Sequence, residues 1–199
     1  KIMKKVGLNK MTWYDGTVVL IDGVKLDFNA IAQGTSVDLI ASLLEEKGIL
    51  NYLIEVGGEL KAKGINADGN VWRVGVDKPS EEIDFKERFQ FILDLQDKAL
   101  ATSGNYRKFY LKNGVKYAHT INPKTGFPAQ NRLLSVSVIA NKCSLADAYA
   151  TSFMAMGLKK TKQIIKTLDD ELEVYIVYLD KNGDWKVYIS PEMKSRIIN

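Results

Sequence analysis

Residues 172–190 read LEVYIVYLDKNGDWKVYIS, and this stretch decides the fold class. Two runs rich in β-branched and aromatic residues flank the pair Asn182-Gly183. An Asn-Gly pair between two such runs is a strong signal for a β-hairpin, because both residues tolerate the backbone angles of a tight turn. The sequence therefore predicts two antiparallel strands here.

Further hairpins are predicted around Asp22-Gly23 and Asn113-Gly114. Five more runs are predicted as strands: NYLIEV, ELKAKGI, VWRVGV, FQFILDL and LLSVSVIA. Helical spacing of apolar residues appears in residues 35–48, where the pattern is Val37, Ile40, Leu43 and Leu44 and a glycine ends the helix, and in residues 144–168, with a break near Gly157. A short helix is predicted in the last ten residues. The pattern indicates an α+β fold, a mostly antiparallel sheet with helices packed on one side of it.

The composition favours a soluble protein with one domain spanning residues 1–199. The net charge is +4, the basic residues are scattered, and no nucleic-acid motif is present. Cys143 is the single cysteine, which excludes an intrachain disulfide, and we interpret it as a small buried hydrophobic residue. No apolar run reaches the ~20 residues that span a bilayer. The opening KIMKKVGLNK has neither a signal-peptide core nor an initiator methionine, so we expect the chain to be an internal piece of a longer protein.

The segment SLADAYATS, residues 144–152, is the most informative for chemistry. We expect Ser144 to cap the helix that follows. Asp147 and Thr151 are four residues apart and so lie on one face of that helix, where both can reach one hard cation. One carboxylate and one hydroxyl are too few for an all-protein cage, but they suit a metal ion shared with a phosphorylated ligand. The alternative is an ordinary helix start, in which Asp147 only complements the helix dipole.

Three glycine-containing segments and one histidine have open interpretations. In LDFNAIAQG, residues 26–34, the small residues would let a ligand approach the backbone, or they only make a tight strand-to-helix connection. EVGGEL, residues 55–60, is predicted either as a β-bulge or as a site where a planar ligand packs against the glycine backbone. ATSGNY, residues 101–106, binds a phosphate or only forms a turn. The lone His119 is either a proton carrier or an unremarkable surface or core residue.

Six blocks taken in chain order resemble the ApbE family, the FAD:protein FMN transferases once called thiamine biosynthesis lipoproteins. The blocks are LDFNAIAQGTSVD (26–38), NYLIEVGGELKAKG (51–64), WRVGVDKP (72–79), ALATSGNYRKFY (99–110), HTINPKTGFP (119–128) and SVSVIANKCSLADAYATSFMAMG (135–157). The resemblance runs from about Leu26 to the C-terminus and implies an ApbE-like, T-fold-like core from which the N-terminal part of the family domain is absent.

The resemblance implies an enzyme that takes FAD and Mg²⁺, cleaves the diphosphate and attaches FMN by a phosphoester bond to a threonine or serine of an acceptor protein, releasing AMP. The acceptors are flavin-carrying subunits of ion-pumping redox complexes. It also implies an extracytoplasmic, periplasmic location, with a membrane association only through an N-terminal lipid anchor, and no nucleic-acid partner. Two alternatives are a Mg²⁺-dependent FAD pyrophosphatase and a non-catalytic FAD-binding protein.

Carried over block by block, the family's metal ligands fall on Asp147, Thr151 and the backbone carbonyl of Ala30. His119 matches the family histidine that precedes the Asn-Pro turn, and the resemblance implies a proton-transfer role for it.

The family's FAD contacts fall on Asp27, Gln33 and Ile121. Some positions depart from the family. Gln33 stands where many members have lysine or glutamate, and Asn122 replaces a common aspartate. Ala150 stands where some members have a second acidic residue, which leaves Asp147 as the only carboxylate of the helix motif.

Overall fold

The computed structural model describes residues 2–79, 88–105, 109–112, 115–118, 120–129, 131–168 and 172–198. In these ranges the helices are α1 (Ala32–Glu46), α2 (Cys143–Met156), α3 (Leu158–Ile165) and α4 (Pro191–Arg196). The strands are β1 (Met11–Tyr14), β2 (Thr17–Leu20), β3 (Tyr52–Val56), β4 (Glu59–Lys63), β5 (Arg73–Asp77), β6 (Phe89–Asp94), β7 (Ala99–Gly104), β8 (Phe109–Lys112), β9 (Val115–Ala118), β10 (Leu133–Ala140), β11 (Glu173–Leu179) and β12 (Trp185–Ile189). No helix in the described part of the chain is long and apolar enough to cross a membrane.

The main sheet of the described residues has six antiparallel strands in the order β12-β11-β10-β7-β4-β3. Strand β10 lies in its middle, where Val138 pairs with Ala101 on one side and Val174 on the other. Its side chains are covered on both faces of the sheet, and the buried Ser137 hydroxyl lies 2.8 Å from the Thr102 hydroxyl. The predicted α+β class and the mostly antiparallel sheet are confirmed.

Two layers cover the sheet. One face packs on α2 and α3 through the side chains of Val136, Val138, Val174, Ile176, Phe153 and Met154. The other face packs on the β5–β6 hairpin and on α4 through Leu100, Ile139, Tyr175, Val177, Leu93 and Met193. The expectation that the helices lie on one side is therefore wrong for α4. The reason is that the chain after β12 pairs with the hairpin, where the amide of Ile198 donates to the carbonyl of Ile92 at 3.0 Å.

The first hairpin differs from the predicted one. It turns at Asp15-Gly16, which joins β1 to β2, and not at Asp22-Gly23. Both Asp15 and Gly16 have positive φ angles, 44° and 72°, as a type I′ turn requires. The later Asp-Gly pair makes a turn without a strand after it. Two Asp-Gly pairs seven residues apart offer the same local signal, and strand pairing decides between them.

Most other elements agree with the predictions made from the sequence. The β8–β9 and β11–β12 hairpins form as predicted, although residues 113 and 114 lie outside the described residues. Gly157, with φ 80°, separates α2 from α3. Helix α1 ends near Gly48, but its buried face is Gly34, Val37 and Ala41, whereas Leu43 is 52% exposed. Small residues face inward because α1 lies close to its neighbours.

Candidate active site

The N-termini of α1 and α2 meet, and each receives a carboxylate from the other helix. Asp147 of α2 accepts a hydrogen bond from the amide of Gly34 in α1 at 3.0 Å. Asp38 of α1 accepts from the amides of Cys143 and Ser144 at 3.0 and 2.9 Å. Since amides of a first helical turn lack partners within the helix and carry partial positive charge, both contacts are favourable. They join the two helices reciprocally.

Ser144 does not cap α2 as predicted. The helix begins at Cys143, and its N-cap residue is Lys142, whose side chain makes no capping hydrogen bond. The Ser144 hydroxyl instead donates to the Asp38 carboxylate at 2.8 Å. Burial raises the pKa of the Asp38 carboxyl, but the hydrogen bonds from Ser144, Cys143 and Lys61 outweigh it, so this pKa lies below its ordinary value. Asp38 is therefore an ionised cap supplied by a different helix.

Gly34 permits the close approach of the two helices. A Cβ at this position would lie 2.5 Å from the carbonyl oxygen of Cys143 and 2.8 Å from the Cα of Ser144. Of the two interpretations of LDFNAIAQG, Gly34 fits the tight connection, because its missing side chain makes room for α2.

The carbonyl of Ala30 lies just before the N-cap of α1, Ile31, and accepts no hydrogen bond from the helix. The amide of Gly34, four residues later, donates to Asp147. The neighbouring carbonyls of Phe28 and Ile31 both accept backbone amides at 2.9 Å. Among the described residues, no donor reaches the Ala30 oxygen, so this carbonyl is available to a ligand.

Asp147 is buried, with 4% of its surface exposed. Burial raises the pKa of its carboxyl, and the Gly34 amide only partly opposes this. No lysine, arginine or histidine of the described ranges pairs with the carboxylate. A buried carboxylate without a positive partner is costly, and a bound cation would supply the missing charge.

A divalent metal ion fits this environment. Thr151 lies one turn along α2, and its hydroxyl is 3.2 Å from that of Ser103 in β7. The described part of the chain has no group of three or more His, Cys, Asp or Glu side chains that could hold a metal. An ion at Asp147 would be completed by carbonyl, hydroxyl, water or ligand oxygens, which are the ligands Mg²⁺ prefers. Ala150 is fully buried in the core, so it offers no room for a second carboxylate.

The other two segments with open interpretations form strand structure. Gly57 and Gly58 have φ angles of 67° and 109° and make the β3–β4 hairpin turn, so EVGGEL is not a bulge. In ATSGNY, Thr102 and Ser103 lie in β7 and their hydroxyls contact Ser137 and Thr151. Each of these hydroxyls thus has a hydrogen-bond partner within the protein, and Tyr106 lies outside the described residues.

The predicted FAD-contacting residues lie on three parts of the chain: Gln33 in the first turn of α1, Asp27 in the loop before it, and Ile121 just before the turn at residues 122–127. The side-chain amide of Gln33 lies over Gly57, where an added Cβ would overlap it. Asp27 is exposed and accepts a hydrogen bond from the amide of Asn29 at 2.8 Å. Ile121 is 49% exposed and pairs with Pro128.

The turn after Ile121 packs against the second half of α2. Together they line a pocket of about 230 Å³, formed by Asn122, Pro123, Lys124, Ser152, Ala155, Met156 and Lys160. Ser152 follows Thr151 in the chain, so this turn lies against the same half of α2 as Thr151. His119 lies outside the described residues. The next residue, Thr120, donates from its hydroxyl to Asn105 at 3.1 Å, beyond the end of β7.

Sequence reasoning missed Asp38. A signal was present, because Gly34, Val37, Asp38 and Ala41 recur at the spacing of one helical face, and a carboxylate within an apolar stripe needs a partner. Ser103 was seen only as a possible phosphate ligand, and its contact with α2 has no signal in the local sequence.

Comparison with known proteins agrees with this architecture. The sequence profile of the ApbE family matches residues 1–176. The FAD:protein FMN transferase of Vibrio cholerae serotype O1 is 38% identical over 169 residues, which are 85% of this chain and 49% of that protein. The FAD:protein FMN transferase of Escherichia coli K12 is 35% identical over 175 residues, 87% of this chain and 48% of that protein.

A solved structure, the flavin transferase ApbE from Vibrio cholerae, superposes with a TM-score of 0.84 at 35% identity, covering 98% of this chain and 60% of that one. The chain thus spans about half the length of the curated relatives it matches. Both the profile and the fold agree over most of the chain, and the chain belongs to the ApbE family.

Proposed function

We propose that the protein is a Mg²⁺-dependent FAD:protein FMN transferase. It cleaves the diphosphate of FAD, attaches FMN through a phosphoester bond to a threonine or serine of an acceptor protein, and releases AMP. The names of the similar proteins support the reaction class. The observation that carries the metal dependence is the buried Asp147, which no cationic side chain of the described residues pairs with.

Three groups of this chain would hold the ion: the Asp147 carboxylate, the Thr151 hydroxyl and the Ala30 carbonyl. When bound, Mg²⁺ supplies charge neutralisation for the diphosphate and for the leaving phosphate. The Gly34 amide holds one oxygen of Asp147, Oδ2, and so orients the other oxygen, Oδ1, which accepts no hydrogen bond from the described residues.

The remaining site residues bind the nucleotide and move one proton. Asp27 would accept hydrogen bonds from a sugar hydroxyl or a base amino group, Gln33 offers a neutral amide, and Ile121 offers an exposed apolar surface. The acceptor hydroxyl oxygen attacks the FMN phosphorus, and the bond from that phosphorus to the bridging oxygen breaks. AMP leaves with the bridging oxygen. A ring nitrogen of His119 takes the hydroxyl proton.

One incubation tests the reaction. The protein is mixed with FAD, Mg²⁺ and a purified flavin-carrying acceptor domain, and the products are separated and identified by mass spectrometry. Flavin covalently attached to the acceptor supports the proposal. Free FMN plus AMP without attachment would mean a pyrophosphatase, and intact bound FAD would mean a non-catalytic binding protein; either result overturns the transferase.

Two variants test the roles. Asp147→Asn keeps the shape of the buried side chain and should lower transfer at least ~10²-fold, the loss typical for a group that stabilises developing charge. Asp184→Asn, in the exposed β11–β12 turn, is the matched control and should transfer at the wild-type rate. His119→Ala should lower transfer by ~10²–10⁴-fold, and a wild-type rate would exclude the proton-transfer role.

The proposal extends to location and partner. We infer an extracytoplasmic, lipid-anchored protein acting on flavin-carrying subunits of ion-pumping redox complexes, supported by family membership alone. Fractionation of cells that express the complete gene tests the location, and recovery in the cytosolic fraction would contradict it.

A further inference from the structure

We propose that Asp38 is a positioning residue for the metal site: its carboxylate fixes the start of α2 against α1 and thereby sets Asp147 opposite the Ala30 carbonyl. This inference rests on the proposed metal-dependent function. It concerns a side chain that belongs to neither the predicted metal ligands nor the predicted FAD contacts.

The contacts of Asp38 hold both of its oxygens. Oδ1 accepts from the amide of Cys143 at 3.0 Å and from Lys61 of β4 at 3.2 Å. Oδ2 accepts from the amide and the hydroxyl of Ser144 at 2.9 and 2.8 Å. The carboxylate is therefore fixed to α2 by three donors and to the sheet by the fourth. Such charge-assisted hydrogen bonds are short and strong compared with neutral ones.

The position of Asp38 along α1 gives it influence over the metal site. Asp38 lies four residues after Gly34, on the same face of α1, and Cys143 lies four residues before Asp147 in α2. The two contacts between the helices are thus about one helical turn, ~6 Å, apart on each helix. Two contacts fix both the separation and the rotation of the start of α2 relative to α1, whereas the Gly34–Asp147 hydrogen bond alone fixes a single point between the two helices.

A pivot of α2 would move Asp147 and Thr151 together, away from Ala30, which belongs to the loop before α1. Groups that orient metal ligands without touching the metal typically change metal affinity ~10–100-fold when they are removed. Asp38 would act in this way through the backbone of α2. Replacement by Asn is severe, because one of its two oxygens becomes an NH₂ group that faces backbone N–H donors.

The test measures Mn²⁺ binding by electron paramagnetic resonance, without FAD turnover, in Asp38→Asn and in a matched control, Glu45→Gln. Glu45 is also a carboxylate of α1; it accepts from Tyr52 at 2.5 Å and pairs with Lys63 at 3.0 Å, and these contacts do not involve α2. We expect Asp38→Asn to weaken Mn²⁺ binding about 10-fold or more. We expect Glu45→Gln to bind Mn²⁺ like the wild type even where its urea midpoint falls.

A milder variant covers the case in which Asp38→Asn fails to fold. Ser144→Ala removes one of the four donors without a change of charge, and we expect a smaller decrease of Mn²⁺ affinity in the same direction. A higher Mn²⁺ affinity in Asp38→Glu than in Asp38→Asn would further support a carboxylate cap.

Wild-type affinity in a folded Asp38 or Ser144 variant, or an equal loss in Glu45→Gln, would overturn the inference. A wild-type protein that binds no Mn²⁺ would overturn it too. The proposed function fails separately: a wild-type protein that binds Mn²⁺ but transfers no flavin would refute the transferase, while the effect of Asp38 on cation affinity would still stand.

Discussion

Replacing Gly34 by alanine tests the contact between α1 and α2. The added Cβ would lie 2.5 Å from the carbonyl oxygen of Cys143, 2.7 Å from its carbonyl carbon and 2.8 Å from the Cα of Ser144. Ordinary contacts between heavy atoms are at about 3.5–4.0 Å, so the two helices would have to separate by roughly 1 Å. All three atoms are backbone atoms of a first turn that Asp38 holds in place, and they cannot rotate away.

Two effects of opposite sign determine how much Gly34→Ala changes the free energy of unfolding. Alanine has a better helix propensity than glycine, by about 1 kcal/mol in a helix interior. Overpacking of a close contact costs typically about 1–3 kcal/mol, and it prevails here because the clash is with backbone. We expect a net loss of roughly 1–2 kcal/mol in the free energy of unfolding, which at a slope of about 2 kcal/mol per molar lowers the urea midpoint by ~0.5–1 M.

The assay is equilibrium unfolding in urea followed by circular dichroism. Ser42, on the exposed side of the same helix, supplies the control, because the difference between Ser42→Ala and Ser42→Gly gives the propensity term without a neighbouring helix. If Gly34→Ala proved as stable as the wild type, or more stable by that propensity difference, the close contact between the helices would be refuted.

Further predictions concern other buried groups. Because the pKa of Asp38 in the folded protein lies below its ordinary value of 3.8, its stabilisation is complete above that value and is lost as the pH falls through the lowered pKa. The difference in unfolding free energy between wild type and Asp38→Asn, from urea titrations, should thus be constant from about pH 5 to 7 and shrink below about pH 4; a difference that grows at low pH would contradict this. Burial, with the nearby carboxylates, raises the pKa of the Cys143 thiol to about 12, so it should not react with Ellman's reagent at about pH 8 until urea unfolds the protein, and rapid native labelling would contradict its burial. Glu173→Gln weakens the pairing with Arg196, whose terminal guanidinium nitrogen donates to the carboxylate at 2.9 Å, and should lower the free energy of unfolding in urea by about 1.5–3 kcal/mol, whereas an equal loss for the half-buried Glu192→Gln would count against that pair.

The hairpins were the most predictable part of the fold, because a turn signal and its flanking strands are local in sequence. The Asn182-Gly183 turn is an example: it joins β11 and β12 as expected. Local signals failed where they were ambiguous. Asp15-Gly16 and Asp22-Gly23 carry the same dipeptide, and only the pairing of β1 with β2 distinguishes them.

Helix faces and helix caps were less predictable, because they depend on contacts distant in sequence. The apolar spacing in α1 favoured Ile40 and Leu43 as core residues, but the close approach of α2 places Gly34 and Ala41 there instead. Ser144 has the residue type of a cap, yet the cap of α2 is Asp38, more than one hundred residues away.

For the predicted metal ligands too, the local spacing was predictable from the sequence and the packing was not. The four-residue spacing of Asp147 and Thr151 correctly placed them one turn apart in α2. Spacing carries no information on burial, so the enclosed environment of Asp147 and its contact with the Gly34 amide emerge only from the packing of α1 on α2. The identities of the ligands stay predictions.

Anomalous diffraction from crystals grown with Mn²⁺ and FAD would locate the cation directly. We expect one strong peak about 2 Å from the Asp147 carboxylate, the Thr151 hydroxyl and the Ala30 carbonyl, with the diphosphate of the nucleotide on its open side. A peak elsewhere in the molecule, or a nucleotide bound with its diphosphate away from Asp147, would contradict the proposed site and the mechanism that depends on it.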